Sequence, residues 1–142
     1  MLHRIRTAAA LPRTEFQLTL RAIGALAAAR VLIALVGFRR LRGFVGVAPP
    51  RARPDAAYAR MVRRAVDRAA RTIPGSKCLA QALVATRLRR AGGVPGDLTI
   101  GVVKAGTATF EAHAWARSGD MIVTGDPDLS RYTELATFFA PT

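Results

Sequence analysis

The chain has 142 residues, 51% of them hydrophobic, and a single cysteine; 22 Lys and Arg against nine Asp and Glu give a net charge of +13. This length suits one ordinary domain, the apolar content argues against wholesale disorder, and a lone thiol excludes an internal disulfide. Residues 1–90 hold 19 Lys and Arg against Glu15, Asp55 and Asp67, a net of +16, whereas residues 91–142 hold three bases and six acids, a net of −3. A basic half invites nucleic acid, anionic lipid or an acidic peptide, and charge alone does not choose among them. Aromatic residues are sparse among the basic ones and no recognised binding fold is present, so no nucleic-acid partner is expected.

In chain order, residues 1–13 form a basic tail. Residues 14–54 form an N-terminal apolar and basic unit, in which Thr14 caps a helix running to about Gly37 and Arg39, Arg40 and Arg42 follow its C-terminus. Ala22 to Phe38 is the most apolar stretch. It is 17 residues long and contains Arg30, which makes it short and costly as a membrane span, since spans want about 20 apolar residues. Arg21 and Arg30 fall on opposite sides of the helix, so no clean polar face results. A docking or core helix is the expectation, and membrane contact is not expected. Gly43 to Pro54, with three prolines, reads as a linker.

Residues 55–142 form the main unit. Asp55 starts a helix to about Thr72, whose Tyr58, Met61, Val62, Ala65, Val66 and Ala69 make a buried stripe. Arg60, Arg63, Arg64, Arg68 and Arg71 occupy the rest and read as a solvated face. Residues 73–76 break the chain, and a third helix runs from about Lys77 to Ala91, with Gly92 and Gly93 ending it. The period then changes to two. Strands are expected over 98–104, 107–117 and 121–124, then a loop at 125–128 and a short closing segment over 132–139. Helices followed by an antiparallel meander make the fold class α+β.

Three residues in this frame can do nucleophilic chemistry. Cys78 stands at a helix start, where free N–H groups and the helix dipole favour negative charge on a thiol or on an attacked carbonyl oxygen. Its plain alternative is a small buried hydrophobe. His113 alternates with Glu111, Trp115 and Arg117 onto the polar-rich face of its strand, as a general base requires; its alternative is a surface histidine. Asp126 ends the next strand, where a carboxylate can orient the imidazole. Asp120 and Asp128 are its rivals, and turn chemistry accounts for both. One Cys and two distant His make no zinc site, and no cofactor is expected.

The stretches Lys77-Cys78-Leu79-Ala80-Gln81-Ala82-Leu83, Leu88-Arg89-Arg90-Ala91-Gly92, Leu98-Thr99-Ile100-Gly101-Val102, Ala112-His113-Ala114-Trp115 and Val123-Thr124-Gly125-Asp126 resemble the transglutaminase-like (papain-like) cysteine peptidases. More narrowly, they are similar to the leader peptidases of lasso-peptide biosynthesis. The resemblance covers roughly residues 15–140. It implies a catalytic core in which Cys78 is nucleophile, His113 base and Asp126 orienting acid. It further implies a precursor (leader) peptide as substrate, a small leader-recognition protein as partner, and a separate ATP-dependent, asparagine-synthetase-like lasso cyclase acting next. Gln81, Trp115, Arg39, Arg40 and Arg42 are candidates for substrate or partner contact. The expected setting is the bacterial cytoplasm, with a peripheral place at a membrane as the alternative. Two other functions fit the same residues: another transglutaminase-like amidase or acyl transferase, and a basic nucleic-acid- or peptide-binding protein without catalysis.

Overall fold

The computed structural model describes residues 12–46, 53–104, 109–125 and 130–138, apart from the side chains of Phe38, Arg39, Arg42, Lys104 and Phe110. Helix α1 spans Arg13–Val36, a 3-10 turn Phe38–Leu41 leads into the short helix α2 at Arg42–Val45, and α3 (Ala56–Thr72) and α4 (Cys78–Ala91) follow. Four strands complete the chain: β1 Asp97–Lys104, β2 Phe110–Ser118, β3 Met121–Thr124 and β4 Thr133–Phe138. The fold is α+β, with helices preceding a small antiparallel sheet, as the change of period after Gly93 predicts.

Helix α4 is the centre. Ala80, Ala82, Leu83, Val84, Ala85, Thr86, Leu88 and Arg89 are all buried, so the helix is enclosed on nearly every side. It packs against α1, α2 and α3 on one side and β1, β2 and β3 on the other. Ala114 and Ala116 of β2, Leu98 of β1 and Val123 of β3 join the helices in one apolar cluster. The many alanines let these backbones approach closely, at the expense of buried area per residue.

Three sequence expectations change. Thr14 does not cap α1; Pro12 is the N-cap residue, and no side-chain cap hydrogen bond is present. A proline with fixed φ needs no amide partner at a helix start. The first residues of the stretch read as linker are helical instead: Arg42–Val45 form α2, and Val45, with Leu41 before it, is fully buried and holds the turn against α4, while residues 47–52 lie outside the described residues. The Arg face of α3 is not simply solvated: Arg64 and Arg68 pair with Glu15 of α1 at 2.6 and 3.3 Å, and Arg63 donates to the Ile122 carbonyl. Asp55 caps α3 as expected, its Oδ1 accepting from the Tyr58 amide at 3.0 Å.

The closing segment is a full strand. β4 pairs antiparallel with β1, so the sheet order is β3-β2-β1-β4 and the meander ends by crossing to the far edge. Its exposed Glu134 and Leu135 give a weak apolar pattern, which hides the strand from a reading of periodicity.

Candidate active site

The turn before Cys78 is pinned from three elements. Arg30 of α1 donates to the Pro74 carbonyl at 2.7 Å, Ser76 Oγ donates to the Ile73 carbonyl at 2.8 Å, and Gln81 Nε2 reaches back to the Ser76 carbonyl at 3.0 Å. Gly75, at φ 73°, makes the reversal. Lys77 is extended and serves as N-cap, so Cys78 is the first helical residue. The Gln81 amide donates to the Lys77 carbonyl, which leaves the amides of Cys78, Leu79 and Ala80 without an intrahelical acceptor. Cys78 itself is half-buried, its side chain against the apolar cluster. Gln81, a candidate for substrate contact, braces this turn.

His113 sits in β2 opposite Gly101 of β1. Since Ala114 and Ala116 join the helix-covered core, alternation sends His113 and Trp115 to the other face. There Tyr132, just before β4, stacks on the imidazole with centroids 5.2 Å apart and planes 24° apart, and it also meets the Trp115 ring at 5.8 Å. Trp115 is fully buried. It fits only because Gly101 has no side chain: a Cβ there would lie 2.6 Å from the indole and 2.9 Å from the Thr133 carbonyl. Trp115, a candidate for substrate or partner contact, lines the wall beside the imidazole.

His113 Nε2 and Trp115 Nε1 are both buried without a hydrogen-bond partner among the described residues. Gly125 passes beside them. A Cβ on it would stand 3.3 Å from His113 Nε2 and 2.7 Å from Trp115 Cβ. Asp126, next in the chain, lies outside the described residues, as does Asp128. Asp120 is exposed in the β2–β3 turn. β3 pairs with β2 only from Ala116 to Ser118, so beyond Thr124 the β2 edge is free of it on the His113 side. Cys78 lies on the helical side and His113 on the other face of the sheet, so the described residues do not bring the two together. No hydrogen bond joins Cys78 to His113 among the described residues. In enzymes without substrate such contacts are often long, and they tighten in the complex.

Arg40 is exposed, and the side chains of Arg39 and Arg42 lie outside the described residues. Among the described residues no group of His, Cys, Asp and Glu is placed to hold a metal ion. Two neighbours were not legible as site residues. Tyr132 lies in a loop with no pattern around it. Gly101 did carry a signal, because a glycine inside the strand Leu98 to Lys104 marks a close approach.

A family model described as the transglutaminase-like superfamily matches residues 23–137, from within α1 to β4. No curated protein and no solved structure matches the chain.

Proposed function

We propose that this chain, which belongs to the transglutaminase-like superfamily, is a cysteine peptidase that removes the leader from a ribosomally made lasso-peptide precursor. The superfamily places it among papain-like peptidases and acyl transferases. The observation that carries the catalytic reading is His113: an imidazole stacked on Tyr132, whose buried Nε2 has no hydrogen-bond partner among the described residues and lies beside Gly125, the residue preceding Asp126. A carboxylate accepting from Nε2 fixes the tautomer and leaves Nδ1 to take the Cys78 proton. The thiolate attacks the carbonyl of the last leader residue, and the free amides at the start of α4 face the developing oxyanion. His113 returns the proton to the departing core amine, and water then hydrolyses the thioester. The leader-recognition protein presents the substrate, and the lasso cyclase closes the ring on the released core.

Part of the basic charge has an internal use, which weakens the nucleic-acid alternative. Arg30, Arg87, Arg89 and Arg90 donate to backbone carbonyls, and Arg64 and Arg68 hold Glu15.

The test incubates the protein with a lasso-peptide precursor, should one be encoded near its gene, with and without a leader-binding protein, and weighs the products. Cleavage at the leader–core junction is expected, and Cys78→Ala and His113→Ala should abolish it with unchanged circular dichroism. Cleavage that survives Cys78→Ala would end the cysteine-peptidase reading. Transfer of the acyl group to an added primary amine in preference to water would favour the acyl transferase.

A further inference from the structure

Helix α1 is apolar on two opposite faces. Leu18, Ala22, Leu26 and Ala29 are buried against α3 and α4. At about 100° per residue, Phe16, Leu20, Ala27, Val31 and Ala34 fall on the reverse side. Phe16, Leu20, Val31 and, at the margin of that stripe, Leu35 remain 39%, 53%, 57% and 75% exposed. Only 17% of the most apolar 18-residue window of α1 is buried, although the helix is long and apolar enough to cross a membrane. A soluble monomer rarely leaves so continuous an apolar strip uncovered.

We infer that the outward face of α1 seats the protein on an anionic lipid surface, with the folded domain riding above it. The absence of a polar face on α1 counted against interfacial binding in the sequence alone. The structure supplies the missing side: the inner face is covered by the protein itself, so the helix needs no polar residues there. The charges stand where an interfacial helix needs them. Arg21, exposed, flanks the apolar stripe on one side, and Arg13 and Arg40 stand exposed towards its two ends; Arg30, on the other side, is held by the Pro74 carbonyl. Long arginine stems lie along the acyl boundary while the guanidinium groups reach lipid phosphates. Glu15, the acid nearest the stripe, is turned inward onto Arg64 and Arg68, so no carboxylate of α1 faces the lipid. Residues 1–90 carry a net +16, which draws the domain to an anionic leaflet. The shape also favours a bilayer over a protein partner. The strip is a convex ridge of one helix, with a shallow hollow lined by Ala27, Arg30, Val31, Ala34, Leu35 and Ile73 at one end. A deformable interface covers a ridge without having to present a groove.

The experiment is co-sedimentation of the full chain with vesicles of phosphatidylcholine alone and of phosphatidylcholine with phosphatidylglycerol, at two salt concentrations. Binding to the anionic vesicles is expected, falling with salt, with little binding to the neutral ones. The triple variant Leu20→Glu, Val31→Glu, Leu35→Glu should lower the partition at least about tenfold, since three apolar side chains leave the interface. Its unchanged thermal unfolding checks that the fold is kept, and Arg13→Glu with Arg21→Glu gives a second variant expected to weaken binding. No sedimentation with anionic vesicles would overturn the inference, as would equal binding by the triple variant. So would a wild-type dimer in sedimentation velocity that the triple variant reduces to monomer, or an acidic protein partner that competes the chain off vesicles without itself binding lipid. Either result assigns the ridge to protein contact.

Discussion

Glycine at position 125 is fixed by two separate constraints. Its φ of 108° lies where side chains are strained, and a Cβ would enter the space held by Trp115 Cβ. The backbone strain alone costs on the order of 1–3 kcal/mol. Gly125→Ala should therefore displace the backbone after β3 beside His113 and Trp115, lowering kcat/KM while the helical core stays folded. Activity assays beside far-UV circular dichroism separate the two effects, and full activity in Gly125→Ala would remove Gly125 from the site. With His113 as the base proposed above, Tyr132 would be a positioning residue, acting through the imidazole it stacks on. Tyr132→Phe should keep near-normal activity, because stacking needs the ring and not the hydroxyl. Tyr132→Ala should cost roughly tenfold to a hundredfold in kcat with little change in KM, the size expected of a misplaced catalytic group. A merely structural Tyr132 would show no such kcat-against-KM split and no rescue by phenylalanine. The sequence placed Cys78 at a helix start and His113 on an alternating strand, and the structure has both there. It could not announce Tyr132, which is near His113 only because β4 crosses to the far side of β1.

At the scale of elements, one buried cation adds polar bonds to the apolar joint between α4 and the sheet. Arg89 is 1% exposed. Its Nε donates to the Ala85 carbonyl, its Nη1 to the Arg117 carbonyl, and its Nη2 to the Asp97 carbonyl and Thr86 Oγ1. Gly96 gives it room, since a Cβ there would collide with the guanidinium. Burial pushes the Arg89 pKa down to about 10, with Asp97 opposing and Arg90 adding to the shift; the group is still charged at neutral pH. Arg89→Met keeps the volume but leaves buried carbonyls without donors. It should destabilise the chain by about 3 kcal/mol, read as a lower midpoint in urea with unchanged slope. A loss within about 0.5 kcal/mol, the range of ordinary surface substitutions, would show that water replaces the guanidinium. Helix α1 was legible as an apolar run, and α3, α4 and β1 to β3 from a period, a cap or a stop, as with Asp55 and the Gly92-Gly93 pair, whereas the four-residue α2 was not. The role of Arg89 was not, because in sequence it is one arginine among many, and only tertiary contact distinguishes a carbonyl clamp from a solvated charge. Arg87 and Arg90 are clamps of the same kind, donating to the Phe44 and Gly46 carbonyls and so holding the α2 turn.

The whole molecule carries far more positive than negative charge, and its few carboxylates pull stability in opposite directions with pH. Glu15 ties α1 to α3. Hydrogen bonds from Arg64 hold its carboxyl below the ordinary 4.5, with burial opposing and Arg68 helping. The folded state then binds fewer protons than the unfolded one in this range, so the contribution is present above 4.5 and lost as pH falls through the depressed value. Asp67 and Asp97 behave in reverse. Burial raises both above 3.8, against the nearby arginines, so the folded state binds more protons. They favour folding fully below 3.8, and that contribution is lost as pH rises through their raised values. Acidification should therefore bring a gain from Asp67 and Asp97, complete by about 3.8, against an overlapping loss from Glu15 and from the growing repulsion of a chain already at +13. Thermal unfolding across acid pH, at low and moderate salt, reads the balance. Asp97→Asn should flatten the gain and Glu15→Gln the loss, while salt should raise the unfolding temperature of all three proteins by screening the self-repulsion. The Glu15 effect should also shrink with salt, because Arg64 is 46% exposed and screening reaches the pair. If Glu15→Gln leaves the acid limb as steep as wild type, the loss is general charge repulsion and the link between α1 and α3 is held by apolar contact alone.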